Sequence, residues 1–361
     1  MAAKKKTAEG SSPVQQIQSY LQENKDEHFN FEKTHEYVVS SGSLLLDIEM
    51  GGGIRPSVIR ASGVVEGGKT SCALSFGRNF QKTVDNGMVI YIKSEGRLSP
   101  EMIERSGVDT SAEKWFVYKS NIFESVLQLM KNLITENPTE CKYFFIIDSM
   151  DAMVPKNDLN RPFEESDKVA GGSVLSSNFL KKMALALSTK GHICFMISQV
   201  RSKVTIGYQT ADPKITNASG GNALLHYSDW ILEFQPRYQK DMIPPKSDEP
   251  EGHHCKVIFR KSANEKTGKM VEYPIKYGRI GGRSIWTEYE VIFMLQQFDM
   301  TKASGAWIIV DESIIKELKE ANLEMVAKHQ GADNFRKYLE DKAEICDFLF
   351  NKFRKALQIA K

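Results

Sequence analysis

The chain has 361 residues, 41% hydrophobic and 26% charged, enough for one large α/β domain with smaller appendages, or for two domains. Lys and Arg (48) almost balance Asp and Glu (46), leaving a net charge of +2, so any nucleic-acid contact must come from local patches. No apolar run approaches the ~18 residues of a membrane span. The basic N-terminus has no apolar stretch behind it, so a secretory signal is not expected and the cytoplasm is. Cys72, Cys141, Cys194, Cys255 and Cys346 stand apart without a CxxC pair, which argues for a reducing compartment and against a disulfide scaffold or a zinc site.

In chain order, residues 1–12 are small, basic and polar, and are expected to be disordered. From Pro13 to about Glu23, Val14, Ile17, Tyr20 and Leu21 follow a helical spacing. Phe29, Phe31 and Tyr37-Val38-Val39 then read as extended anchors. Residues 1–39 fit a self-association arm or a loose tail. Val58-Ile59 predicts a strand, a Gly-rich turn follows, and a helix is expected from Thr70 to about Val84. Met88–Ile92, Tyr143–Ile147 and Ile193–Ile197 are apolar runs that predict buried strands, with helices predicted over Glu101–Ser106 and Ile122–Leu133. Apolar strands alternating with helices predict a mainly parallel, twisted sheet covered on both faces. Trp230–Phe234, Cys255–Phe259 and Val271–Tyr277 are expected as antiparallel additions. From about Thr287 the pattern is mainly helical, notably Ile314–Lys328 and Phe335–Leu357. The expected division is an arm (1–39), an α/β core (40–286) and a small C-terminal α+β domain (287–361).

Gly63-Val-Val-Glu66-Gly67-Gly68-Lys69-Thr70 fits the P-loop pattern G-x-x-x-x-G-K-[ST]. The glycines let backbone N–H groups wrap a phosphate, Lys69 supplies a cation, the Thr70 hydroxyl is a magnesium ligand, and the helix beginning there adds its positive end. ATP with Mg2+ is the expected ligand, bound by Gly63, Glu66, Gly67, Gly68, Lys69, Thr70 and Ser71. Asp148 ends the Tyr143–Ile147 strand, where an acid can hold the magnesium through water. Glu95 follows the Met88–Ile92 strand and is the candidate to activate water, or a solvated surface residue.

Several segments together resemble RecA-type recombinases. They are Ser41-Gly42-Ser43 through Asp47-Ile48, Tyr91-Ile-Lys93-Ser94-Glu95, Ile147-Asp148-Ser149, Ile197-Ser198-Gln199-Val200-Arg201, Gly220-Gly221-Asn222-Ala223-Leu224 and Ala303–Trp307. They occur in the family's order, with similar gaps, from about residue 40 onward. The Gln199–Leu224 block is the most specific, because ordinary P-loop proteins lack it. Departures from the pattern suggest a divergent member, of the phage-encoded kind.

The resemblance implies a RecA-type ATPase core and a filament of many copies on single-stranded DNA that pairs with homologous duplex, with single-strand-binding and loader proteins as further partners. It makes Glu95 the catalytic base and Gln199 the residue that senses the γ-phosphate and orders a DNA loop. It puts DNA loops near 155–172 and 200–219, with Val169 and Val204 inserting between bases. Arg201, Lys203, Ser177, Lys181, Gly220, Gly221 and Asn222 meet the backbone, and Val174 stands in place of a basic residue. It gives Lys261 a role on the neighbouring protomer's phosphates; the companion lysine falls on Phe259, with Arg260 as a substitute. Met102 stands where relatives stack an aromatic on adenine, and Lys93 where they carry an acid, which would weaken Glu95 as a base. A ring-helicase motor of the same fold stays open, and so does an ATP-regulated DNA-binding filament protein that hardly hydrolyses.

Overall fold

The computed structural model describes residues 12–33, 35–96, 98–159, 171–199 and 221–359. Helix α1 (Pro13–Glu23) begins with a reciprocal cap: the Ser12 hydroxyl accepts from Gln15 N, and the Gln15 side chain accepts from Ser12 N. None of α1 is buried, and Val14, Ile17 and Tyr20 stay about 60% exposed. The chain then docks on the core: the Tyr37 hydroxyl donates to Gly191 O at 2.8 Å, and Val39 bridges Ile54.

The core alternates helices and strands: α2 (Leu44–Met50), β1 (Val58–Gly63), α3 (Lys69–Thr83), β2 (Gly87–Lys93), α4 (Pro100–Ser106), β3 (Trp115–Lys119), α5 (Phe123–Thr135) and β4 (Lys142–Asp148). It continues through α6 (Lys156–Leu159), α7 (Gly171–Thr189), β5 (Ile193–Ile197), α8 (Gly221–Tyr227) and β6 (Trp230–Phe234), and ends in β7 (Met242–Ile243), β8 (Gly252–Lys261) and β9 (Met270–Lys276). Among the described residues these strands form one sheet of order β3-β2-β4-β5-β1-β6-β8-β7, with β9 also on β8. From β3 to β6 every pairing is parallel; β7, β8 and β9 are antiparallel.

The period of two along β4 shows why its residues are uniformly apolar. Phe144 and Ile146 pack with Phe76, Phe80 and Phe195 on the α3 face, while Phe145 and Ile147 pack with Met130, Leu180 and Met183 on the α5–α7 face. Each buried Phe contributes roughly 1.5–3 kcal/mol relative to exposure.

The C-terminal unit comprises α9 (Thr287–Gln297), β10 (Thr301–Ser304), β11 (Trp307–Val310), α10 (Glu312–Glu320), β12 (Lys328–Gln330), α11 (Gly331–Asp341) and α12 (Ala343–Ile359). It has its own core around Leu295, Leu318, Phe335 and Leu349. Leu44 of α2 belongs to that core, and Glu290 of α9 accepts from Ser43 Oγ and Leu44 N. Burial pushes the Glu290 carboxyl up to about 8.

The structure corrects four expectations. Strand β6 is not an antiparallel addition; it pairs parallel with β1, because the connection through α8 returns the chain in the direction of β5. The helix expected over Ile314–Lys328 stops at Glu320, where Asn322 takes the left-handed conformation (φ 58°), and Lys328 opens a strand. The helix over Phe335–Leu357 is two, separated at Lys342. Strand β3 went unread although Trp115-Phe116-Val117-Tyr118 is a short apolar run; it forms the edge of the sheet, where Phe116 and Lys119 are exposed.

Candidate active site

The P-loop joins β1 to α3 at the carboxyl edge of the parallel strands. Gly63 has φ 137°, and a Cβ there would lie 2.3 Å from Phe234 O, so glycine is required. Gly68 takes φ 104° and opens α3, with no side chain capping the helix, so the first N–H groups of α3 face the loop. The Lys69 amine donates to Gly63 O at 3.0 Å and Val64 O at 2.6 Å, folded back over the loop it serves.

Asp148, at the end of β4, meets this loop. Its Oδ2 accepts from the Thr70 hydroxyl at 2.8 Å and from the Tyr91 hydroxyl at 2.6 Å. Burial first, then Asp148, holds the Tyr91 hydroxyl well above its usual pKa, so it stays a donor. The Ser94 and Glu95 backbone N–H groups both donate to Asp148 O, at 3.1 and 3.3 Å, and Ser149 Oγ donates to Glu95 Oε1. β2 and β4 are therefore stitched at the point where both candidate acids emerge.

Gln199 follows β5, and its N–H donates to Asp151 Oδ2 at 2.6 Å. The buried Arg60 of β1 donates to Ser198 Oγ at 3.1 Å. These bonds fix the strand end from which residues 200–220 depart.

Beside the P-loop lies a cavity of about 370 Å³ lined by Glu66, Gly68, Ser71, Met102, Arg237 and Tyr277, among others. Sequence reasoning placed Met102 there but missed Arg237 and Tyr277. Arg237 donates to Glu66 O at 3.0 Å and to the Tyr277 hydroxyl at 3.1 Å, tying the P-loop to the end of β9. Neither residue belongs to a motif; only the return of the sheet brings them to the loop. Tyr91 and Ser149 lay within quoted segments, yet their roles as partners of Asp148 and Glu95 depend on the pairing of β2 with β4.

The donor set fits a magnesium-bound nucleoside triphosphate. It combines an open helix N-terminus, a flexible cation and a hydroxyl–carboxylate pair suited to a hard cation and its waters. Thr70 and Asp148 would hold the metal, and Lys69 the phosphates.

The remaining candidates lie elsewhere. Lys261 ends β8, six residues beyond Cys255, whose Sγ reaches Gly67 O at 3.5 Å; that strand length is roughly 20 Å. Lys261 Nζ donates to Leu225 O and His226 O at the end of α8, at 3.0 and 2.9 Å. Arg260 forms a two-point pair with Glu233, both bonds 2.8 Å, and Phe259 is fully buried. Ser177 and the exposed Lys181 lie on α7, with Val174 exposed one turn earlier. Gly221 and Asn222 open α8. Val169, Arg201, Lys203, Val204 and Gly220, with most of both expected DNA loops, lie outside the described residues.

The RecA N-terminal domain family matches residues 23–281, more than two thirds of the chain. The chain belongs to the RecA family. It is similar to Protein RecA of Rippkaea orientalis, at 27% identity over 322 residues that span 89% of this chain and 83% of that one. Protein RecA of Aquifex aeolicus is 28% identical over 331 residues, 91% and 86% of the two chains. That of Chlorobaculum tepidum is 31% identical over 277 residues, 76% and 74% of the two. The match runs from the end of α1 past β9, so the site described above lies inside the RecA portion. No helix among the described residues is long and apolar enough to cross a membrane.

Proposed function

We propose that this RecA-family protein is an ATP-driven recombinase: a DNA-dependent ATPase that forms helical filaments on single-stranded DNA and exchanges its strand with homologous duplex. One observation carries the reading. Strand β5 and the Ser198-Gln199 step after it are pinned beside the P-loop strand by the Arg60–Ser198 contact, and the chain runs directly from there into residues 200–220. A group at that strand end can feel the nucleotide while its backbone begins the DNA loop, which couples ATP state to DNA affinity.

In the proposed reaction the P-loop N–H groups and Lys69 bind the phosphates, with Lys69 leaving the carbonyls of Gly63 and Val64. Bound Mg2+ supplies charge neutralisation to the phosphates. Thr70 and Asp148 hold its position, and Tyr91 keeps Asp148 oriented. Glu95, aligned by Ser149, takes a proton from the attacking water. Lys261 acts on the neighbouring protomer's phosphates; its distance from its own P-loop along β8 supports that assignment. Arg260 is a weaker substitute for the second lysine, because Glu233 holds both of its donor edges. Met102 and Tyr277 wall the base side.

Val169, Val204, Arg201, Lys203, Ser177, Lys181, Gly220, Gly221 and Asn222 are proposed DNA contacts. Helix α1, with its exposed Val14, Ile17 and Tyr20, is proposed to bind the next protomer. Electron microscopy with single-stranded DNA and a slowly hydrolysed ATP analogue tests the assembly, and a strand-exchange assay tests the activity. Helical filaments and exchanged strands are expected. Closed rings would replace this reading with a motor, and filaments that neither hydrolyse nor exchange would replace it with a regulatory filament protein.

A further inference from the structure

The turn after β4 carries an acid that belongs to none of the motifs above. Beyond Asp148 the chain passes through Ser149 into a short turn (Met150–Ala152), closed by Ala152 N donating to Ser149 O at 3.3 Å. Its far end is tied down as well: Met153 N donates to Met150 O at 3.4 Å, and Val154 N donates to Asn121 O at 2.7 Å. Asp151 projects from this turn, and its Oδ2 accepts from Gln199 N at 2.6 Å. The bond forms where the sheet gives out. Pairing of β5 with β4 ends at Ile147 and Met196, and Ser198 N makes its ladder bond to Ala61 O of β1 at 2.8 Å. Successive N–H groups of an extended chain point to opposite sides, so that of Gln199 turns toward β4, beyond the last pair. Asp151 takes it there.

Two features set this contact apart from an ordinary loop staple. The same turn holds the chemistry: Asp148 accepts from Thr70, Ser149 Oγ donates to Glu95 Oε1, and Ser94 Oγ donates to Ser149 O at 2.7 Å. One stretch, Asp148–Asp151, therefore touches the P-loop helix, the candidate base and the start of the segment after β5. A carboxylate is also a costly choice for a staple. Asp151 Oδ1 is buried and has no hydrogen-bond partner among the described residues, a desolvation cost that a neutral acceptor would reduce. The charge is felt by Arg60 of the P-loop strand, whose side chain is buried. Burial lowers the Arg60 pKa, and Asp151 opposes that lowering. Asp151 thus acts on groups of β1, β4 and β5 together.

We propose that Asp151 is the positioning residue through which DNA stimulates hydrolysis: it joins the segment that begins at Gln199 to the turn that holds Glu95. The DNA in this statement rests on the recombinase reading; the link rests on the geometry. A hydrogen bond from an amide to a carboxylate is charge-assisted and stronger than a neutral one. The turn behind it is bonded at both ends, so a displacement of Gln199 carries Ser149 with it. Ser149 in turn sets the direction of the Glu95 carboxylate toward the attacking water. The link also runs backward. A nucleotide state that shifts the end of β4 shifts Gln199, and by linkage nucleotide and DNA must change each other's affinity by the same factor.

The test compares Asp151→Ala with Asp151→Asn in the full chain, by steady-state phosphate release with and without single-stranded DNA. The Asn amide can still accept from Gln199 N, whereas Ala cannot. Both remove the charge that acts on Arg60, so a general loss of stability is shared and the thermal midpoints should fall together. The stimulation by DNA should drop about tenfold in Asp151→Ala and stay within about threefold of the parent in Asp151→Asn. The loss should fall on kcat in the presence of DNA, with KM for ATP moved by less than about twofold, because Asp151 touches no group proposed to bind the nucleotide. The ratio of single-stranded DNA affinities with a slowly hydrolysed ATP analogue and with ADP should shrink in Asp151→Ala and persist in Asp151→Asn. Unchanged stimulation in Asp151→Ala overturns the proposal. An equal loss in the two variants overturns it too, by tracing the effect to the charge beside Arg60. A parent chain whose hydrolysis does not respond to DNA removes the recombinase reading and this proposal with it, and that result is seen before any variant is made.

Discussion

The two ends of β8 are built for different tasks. At its start Cys255 packs under the P-loop, against Gly67, and the groups proposed to hold a triphosphate come from one chain. At its far end Phe259 is buried, Arg260 is held by Glu233, and Lys261 is spent on the last carbonyls of α8. In the proposed mechanism the first end binds nucleotide with groups of a single protomer. The second offers cations that must leave internal partners before they can serve a neighbour. Because α8 directly follows residues 200–220, release of Lys261 and rearrangement after the second DNA loop become one event in the proposed mechanism. This gives a physical reason for hydrolysis to wait for both DNA and a neighbour.

Four substitutions probe this contrast, and a fifth measurement tests its support. Lys69→Ala removes the cation at the first end; nucleotide-dependent filament extension should disappear, and ATPase activity should fall by about 10³-fold or more. Electron microscopy and phosphate release check both. Glu95→Gln should lower hydrolysis by roughly 10²–10⁴-fold while filaments still assemble with ATP, because a general base acts only on the reaction.

Lys261→Ala should reduce DNA-stimulated hydrolysis by about 10- to 100-fold and leave nucleotide binding by the isolated protomer unchanged. Mixing this variant with Lys69→Ala gives the sharpest reading. If Lys261 acts across the interface, activity should return in part, since some junctions then pair an intact P-loop with an intact Lys261; no recovery would break the contrast drawn here.

Glu290 lies at neither end and controls for general stability. Its carboxyl pKa rises from 4.5 in the open chain to about 8 in the fold, so the folded form holds the extra proton between those values. Its stabilisation is full below about pH 4.5 and is lost as the pH rises through about 8. The thermal midpoint of the parent should therefore fall from pH 6 to pH 9 more steeply than that of Glu290→Gln. The smallest effect belongs to Tyr91→Phe, which deletes one hydrogen bond to Asp148. A loss of about 1 kcal/mol, or roughly fivefold in ATPase rate, is expected from steady-state kinetics.

Much of the site could be read directly from the residues because its chemistry is local. A phosphate loop needs its glycines, Lys69 and Thr70 at fixed spacing, and Asp148 and Glu95 each close a strand whose apolar run is visible. Arg237 and Tyr277 were not readable in this way. They reach the P-loop from about 170 and 210 residues away in the chain, through the return of the antiparallel strands. The direction of β6 was misread because a short apolar run is compatible with either pairing.

By itself, then, the sequence determined the α/β alternation, the P-loop with its two acids, and the family resemblance that the match over residues 23–281 bears out. Periodicity and loop chemistry are short-range, so a single chain displays them. Tertiary structure alone decided which distant side chains line the cavity beside the P-loop and which cations are held by internal partners. Those depend on strand order and helix packing, whose free energy is shared among many contacts and leaves no signature at any one position.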